Sequence, residues 1–378
     1  MQEDRLCVKK GASAALAPRQ AVDELAEQIQ QPDSGIVIVF CSSQYDLPAL
    51  GAALKERFDC PVIGCTSAGE ITAETGYQQG GIVGVSLSSR ELTAHPRLIH
   101  PLDKFGLVDA ENLAQALRNE LTLAAEFDAG HMFGLLLVDG LSMLEEQVIA
   151  SIYNQLGNVP IIGGSAGDDL NFQKSHVYWD GKFIDNAAVF TLFETTLPFE
   201  TFQTQHFEPT ETRLVITESD CATRTVKEIN GAPAAQEYAD AVGLEVKELT
   251  PQIFAAYPVM LKIDGEYYVR SIQKANPDGS LTFYCAIDNG LVLTVAKGKA
   301  LLENLHQRLE QVRQDIPDVK LVLGCDCILR RLELQQKNLI GEAMEALEGS
   351  EFIGFSTYGE QYNGIHVNQT LTGIALGS

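Results

Sequence analysis

The chain has 378 residues, and 27 Lys and Arg against 51 Asp and Glu leave a formal charge of −24. A chain this acidic repels phosphate backbones and anionic lipid headgroups, so nucleic acid and membrane surfaces are disfavoured as partners. No apolar run approaches the roughly 18 residues of a membrane span, and residues 1–17 lack a signal-peptide core; the expected location is the cytoplasm.

In chain order, the first informative stretch is Gly35-Ile-Val-Ile-Val-Phe-Cys41, a β-branched run fit for a buried strand. A helix should follow, capped by Asp46, with Pro48 in its first turn and Leu50, Leu54 and Phe58 spaced along one face. Next come Pro61-Val-Ile-Gly-Cys-Thr-Ser-Ala-Gly-Glu70 and a strand within Gly80–Leu87. The order then repeats. Met132–Val138 reads as a strand, Ser142 and Glu145 as a capping box, and Leu144, Val148, Ile152 and Leu156 as a helical stripe. Pro160-Ile-Ile-Gly-Gly-Ser-Ala-Gly-Asp168 and the strand 187–193 close this second copy. A third copy runs from Val319–Cys325 through a helix ended by Gly349 to Phe352-Ile-Gly-Phe-Ser-Thr-Tyr-Gly-Glu360 and a terminal strand. The expected fold class is α/β, with repeated strand-helix-strand-strand units in mixed sheets. The first two strands of each unit should be parallel by the right-handed crossover rule.

Residues 199 to 297 differ. Their strand runs, and the turns Asp264-Gly265 and Asp278-Gly279, predict an antiparallel sheet with one helix over 233–242. Two domains follow, 1–200 and 201–378.

Each copy ends its second strand in a corner of small residues, a hydroxyl and an acid. Such a turn can present backbone N–H groups to a polar ligand. The candidate ligand-binding residues are therefore Ser67, Gly69 and Glu70; Ser165, Gly167 and Asp168; and Ser356, Tyr358 and Glu360. The bland alternative is that the hydroxyls and glycines tie the turns to themselves. Gly163-Gly-Ser165-Ala-Gly167 has nucleophile-elbow spacing, but no helix follows it, so an enzyme is not expected. Eight cysteines without a Cys-x-x-Cys pair exclude a zinc ribbon. Of the seven histidines, His95 and His100 are expected at the surface, while His366, in Asn363–Gln369, lies nearest a corner.

The segments Ile63–Glu70, Ile162–Asp168, Glu228-Ile-Asn-Gly-Ala-Pro-Ala234 and Ile353–Gln361 resemble the FIST family across nearly the whole chain. The resemblance implies a sensory, ligand-binding protein of bacterial signal transduction, whose partner would be a histidine kinase or another signalling protein. Some stand-alone members bind haem and sense nitric oxide. On that implication His366 is the first candidate for the haem iron, followed by His206 and His176, with Cys327 as a ligand of another type. The alternative is a module sensing a small organic molecule such as an amino acid, without haem.

Overall fold

The computed structural model describes residues 5–316 and 318–378. The three copies are present, and each is longer than its sequence signature. Copy one opens with a leading strand, Cys7–Ser13, and a leading helix, Pro18–Ile29. Then come a first strand Ile36–Ser42, a helix Leu47–Arg57 and a second strand Val62–Ser67. A hairpin (Glu70–Thr72, Gly76–Gln78) and a last strand Ile82–Ser88 complete it. Copy two repeats this order from Leu92–Ile99 to Ala188–Thr195, and copy three from Phe199–Thr204 to Leu371–Gly377, with two helices, Ile328–Gln336 and Ile340–Leu347, where one was expected between its first and second strands. In every copy the first and second strands are parallel, and the last strand returns antiparallel on the first.

The result is three six-stranded mixed sheets, each completed by a neighbour. The hairpin of copy two extends the sheet of copy one, that of copy three extends copy two, and that of copy one extends copy three. This cyclic exchange makes the three copies one pseudo-threefold body. Their inner faces share a single apolar core containing Phe40, Phe133, Ile162, Cys325 and Phe355. The helices cover the outer faces with separate clusters.

The register is set by a glycine in each second strand. A Cβ on Gly64 would lie 2.1 Å from the Val39 carbonyl oxygen, and one on Gly163 or Gly354 would lie 2.0 Å from that of Leu136 or Gly324. These residues face one another across the parallel pairs, so only glycine allows the two central strands to close.

The antiparallel region is an insertion within copy three. It lies between the leading strand Phe199–Thr204 and the leading helix Leu301–Asp315, and its eight-stranded sheet includes Phe207–Asp220, Val259–Ile263 and Val292–Gly298. Asp264 and Gly265, at φ of 50° and 95°, turn the predicted hairpin. The expected helix spans Ala234–Val242, and a second one, Pro251–Ala256, was not expected. Residue 200 thus falls on the strand that opens copy three and pairs with the terminal strand Leu371–Gly377, so the sheets run across that expected boundary.

Two local expectations change. Asp46 caps its helix through Ala49 N–H at 3.0 Å, as read, but the helix of copy two begins at Glu145 with Leu144 as cap. Ser142 instead bonds the Asp139 carbonyl, and Glu145 is buried in an ion pair, so no capping box forms. His95 is buried, held at 2.9 Å by Glu194, rather than lying at the surface.

Candidate functional site

The three corners meet at the pseudo-threefold junction, and their amides bond one another. Ser356 N donates to Gly69 O, and Ala68 N to Ser356 O. Ser165 N donates to Gly359 O, Tyr358 N to Ser165 O, and Gly167 N to Thr66 O. Thr66, Ser165 and Ser356 therefore occupy equivalent positions, one residue away from the pairing with Ser67 that the motif suggests. Ser67 accepts from Gly69 N at 3.1 Å and donates to Glu70 Oε1 at 2.6 Å. The corner amides fasten the three copies to one another, while Ser356 Oγ and Glu360 Oε1, both buried, have no partner among the described residues. No N–H named here is left facing a ligand.

The corner acids have a matching task. Glu70 Oε2 accepts Gly81 N–H at 3.2 Å, and Glu360 Oε2 accepts Thr370 N–H at 3.1 Å and the Thr370 hydroxyl at 2.8 Å. Each ties the corner to the start of its copy's last strand. In copy two the neighbouring amide, Asn186 N, goes to Asp139 at 2.7 Å. Asp168 instead takes Phe172, Gln173 and Lys174 N–H at 2.8, 2.6 and 3.0 Å, plus the Tyr358 hydroxyl. Burial pushes Glu360 well above the ordinary carboxyl range and pushes Glu70 up to about 7, against the Ser67 and Gly81 donors.

Glu70 thereby predicts a pH effect. Its folded pKa exceeds its unfolded one, so the native state binds more protons between about pH 4.5 and 7, and stability falls as pH rises through that window. The full swing is about 3 kcal/mol. Glu70→Gln keeps an acceptor for Gly81 N, and the Ser67 hydroxyl can turn to accept from the new amide. The variant should be more stable than wild type at pH 8, with the advantage vanishing near pH 5 in urea titrations.

A second polar cluster lies in the seam between the threefold body and the inserted domain. From the body come Glu145 and Glu146 at the start of the copy-two helix, together with Gln361, His366 and Asn368 from the copy-three hairpin and its exit. From the insertion come Arg224, Arg270 and Ser271. Arg224 sits in a left-handed turn at φ 50°, which aims it across the seam at Glu145 Oε2 (2.6 Å) and Glu146 Oε2 (2.8 Å). Arg270 Nη1 donates to the His366 carbonyl at 3.1 Å and stands 3.7 Å from Glu146 Oε1, which also accepts Ala286 N–H at 2.6 Å. Ser271 N donates to Asn368 Oδ1 at 3.4 Å, and Gln361 Nε2 lies 3.0 Å from His366 Nδ1 and 3.2 Å from Ser165 Oγ.

Burial pushes Glu145 up to about 7, against the pull of Arg224, while Glu146, buried but surrounded by His366, Arg224 and Arg270, is held below the ordinary value. Burial lowers His366 to about 4, so it is neutral at pH 7. Two guanidiniums thus face one firm carboxylate and one carboxyl that titrates near neutrality. Among the described residues, four buried side-chain atoms of this cluster have no hydrogen-bond partner: Arg270 Nε, Ser271 Oγ, Asn368 Nδ2 and Gln361 Oε1. Three are donors, if Ser271 gives its proton. Tyr358 and Phe172 stack at 4.7 Å beside the cluster, and Tyr284 of the insertion lies 6.3 Å from Phe172.

The FIST N domain model matches residues 35–232, and the FIST C domain model matches residues 234–363. The chain belongs to the FIST family. FIST domains are sensory ligand-binding domains of signal transduction rather than a known enzyme family. This FIST protein is also 21% identical over 294 residues to an uncharacterized protein of Methanocaldococcus jannaschii, covering 75% of this chain and 51% of that one. The chain therefore spans about half the length of the curated relative it matches. No described helix is long and apolar enough to cross a membrane.

Haem, implied by the resemblance, fits poorly on the residues present. His366 Nδ1 is taken by Gln361, and its other edge lies on Gly359, where a Cβ would sit 2.5 Å from Nε2. His206 Nε2 is held 3.0 Å from Glu333, with its ring 4.1 Å from that of Phe207. Burial holds the Cys327 thiol well above its usual pKa, away from the thiolate that iron requires. His176 is half-buried beside Thr66, to which its backbone N–H donates at 3.0 Å. Clefts of about 780 and 540 Å³ adjoin Phe58, Asp59 and Cys60, and none of the four candidate ligands lines them. The Ser165 hydroxyl bonds Gln361 Nε2, which in turn lies between it and His366.

Sequence reasoning reached His366 and the corners but missed Arg224, Arg270 and Glu145. The polar run Asn368-Gln369-Thr370, fully buried between two strands, was the available signal.

Proposed function

We propose that this FIST protein is a sensor that binds a small organic oxyanion, such as an amino acid, in the seam, and reports it to a separate signalling protein such as a histidine kinase. The observation that carries this reading is the set of four unpartnered polar atoms, on Arg270, Ser271, Asn368 and Gln361, closed in between two domains. Buried polar groups are normally paired, and a polar ligand would complete an unpaired set of this kind. The guanidiniums of Arg224 and Arg270 are the groups here that an anionic ligand would pair with. Haem chemistry has no part in this reading.

The test is calorimetric titration with a panel of amino acids and small carboxylic acids. At least one should bind saturably, and Arg270→Gln should weaken it about 10- to 100-fold, the loss of one charge-assisted hydrogen bond of about 1.5–3 kcal/mol. Equal affinity in the variant, or no binding across the panel, sinks the proposal. So does a haem complex whose visible absorption band is lost in His366→Ala.

A further inference from the structure

The inserted domain meets the threefold body through a row of polar groups, beside which the Phe172 and Tyr284 rings lie 6.3 Å apart and the helix Pro251–Ala256 lies against the helix Ile328–Gln336. Its own apolar clusters, one around Leu214, Tyr238, Phe254 and Leu281 and a smaller one around Phe207 and Met260, contain only residues of the insertion. Among the described residues, no hydrophobic cluster joins insertion and body. Polar contacts between the two include the Arg224–Glu145/Glu146 pair, the Arg270 contacts, the Ala286 N–H bond to Glu146, the Ser271–Asn368 bond, a Gln205 bond to the Tyr267 carbonyl at 3.0 Å and a Gln369 bond to the Ala255 carbonyl at 3.0 Å.

The chain crosses between the two parts twice, and the crossings lie side by side. Phe207 pairs with Gly298, and Lys299 N donates to the His206 carbonyl at 2.7 Å. His206 is pinned to the body by Glu333. Two adjacent crossings at one edge and a polar seam at the other are the anatomy of a hinged lid, because a charged interface regains water on opening whereas an apolar one does not.

We propose that the insertion, residues 207–298, is a lid hinged at His206 and Lys299 and latched by Arg224 and Arg270 on Glu145 and Glu146. The proposal rests on the ligand seating at this seam and states how the site is regulated. Opening admits the ligand. Its oxyanion then competes with Glu146 for Arg270, so occupied and empty states hold the lid differently. That difference in latch contacts is the free energy a ligand needs to shift the two populations.

The test needs no ligand. Arg224→Ser leaves Glu145 and Glu146 without their main partner, and opening relieves them by hydration. In hydrogen–deuterium exchange on the full chain, the amides of Ser271 and Ala286, both bonded across the seam, should exchange at least about tenfold faster. Peptides from Met132–Val138 in the body and Val259–Ile263 in the insertion should keep their wild-type rates. Uniform acceleration of all four regions would mean one cooperative unit and overturn the lid, as would no acceleration at the seam. Should the variant not fold, the wild-type chain decides. Its seam amides should exchange through an opening nearly independent of low urea, while the Met132–Val138 amides follow global unfolding; identical urea dependence overturns the proposal. A failed ligand titration would leave this result untouched, so the two readings fail separately.

Discussion

Gly163→Ala is expected to destroy the fold, with little protein recovered and a stability loss of about 4 kcal/mol or more in whatever remains. The added Cβ would stand 2.0 Å from the Leu136 carbonyl oxygen and 2.8 Å from its carbon. No side chain can rotate to make room, because the obstacle is backbone in the adjacent parallel strand. The two strands must part, and they carry the central ladder of their sheet. Gly64→Ala and Gly354→Ala meet the same obstacle at Val39 and Gly324, so the three variants should fail alike. Gly157→Ala, with open space around it, serves as the control. It has φ of 64°, so a loss of about 1–2 kcal/mol is expected from backbone strain alone. Circular dichroism and urea titration of the four variants decide the matter, and a stably folded Gly163→Ala chain would contradict the register.

These glycines show why the repeat was legible. A close strand contact permits one residue type, so it leaves the same letter at the same place in all three copies. β-branched runs likewise announce buried strands whatever surrounds them. The leading strands left no such trace. Cys7–Ser13 and Phe199–Thr204 are half-exposed edge strands, and the insertion separates the latter from its helix by nearly a hundred residues. Hairpin exchange was invisible for a different reason. Glu70–Thr72 would read the same whether it joined its own sheet or that of copy three. The seam was hidden because its members have local alibis. Glu145 sits where a capping box places an acid, and Arg224 occupies a left-handed turn that no sequence rule assigns to arginine. At the corners, glycine, hydroxyl and acid suit an anion nest and a three-way fastener equally. Only the partners of their amides separate the two.

The other large effect is expected at the pseudo-threefold core, where symmetry is broken by size. Cys65, Gly164 and Phe355 occupy equivalent places on the three second strands, opposite Phe40, Leu137 and Cys325. One phenyl ring fills the space that three equal side chains would contest. Phe355 stacks on Phe40 with centroids 4.3 Å apart and planes 20° apart, and its Cζ would lie 2.7 Å from a Cβ on Gly164. Phe355→Ala should therefore cost about 3–5 kcal/mol in urea titration, from lost burial and the cavity left behind. Gly164→Ala alone should cost about 1–3 kcal/mol by overpacking. Combined, the two should not add: with the ring gone, the nearest obstacle to the methyl at 164 is removed and part of its cost should disappear, the contacts with Thr357 Oγ1 at 3.0 Å and Cys325 Cβ at 3.1 Å remaining. A non-additive cycle of that sign is the mark of one ring shared by three copies. Additive losses would mean that residues 164 and 355 do not meet. The same core should leave the lid alone, so exchange at Ser271 and Ala286 in Phe355→Ala should match wild type under conditions where the body stays folded.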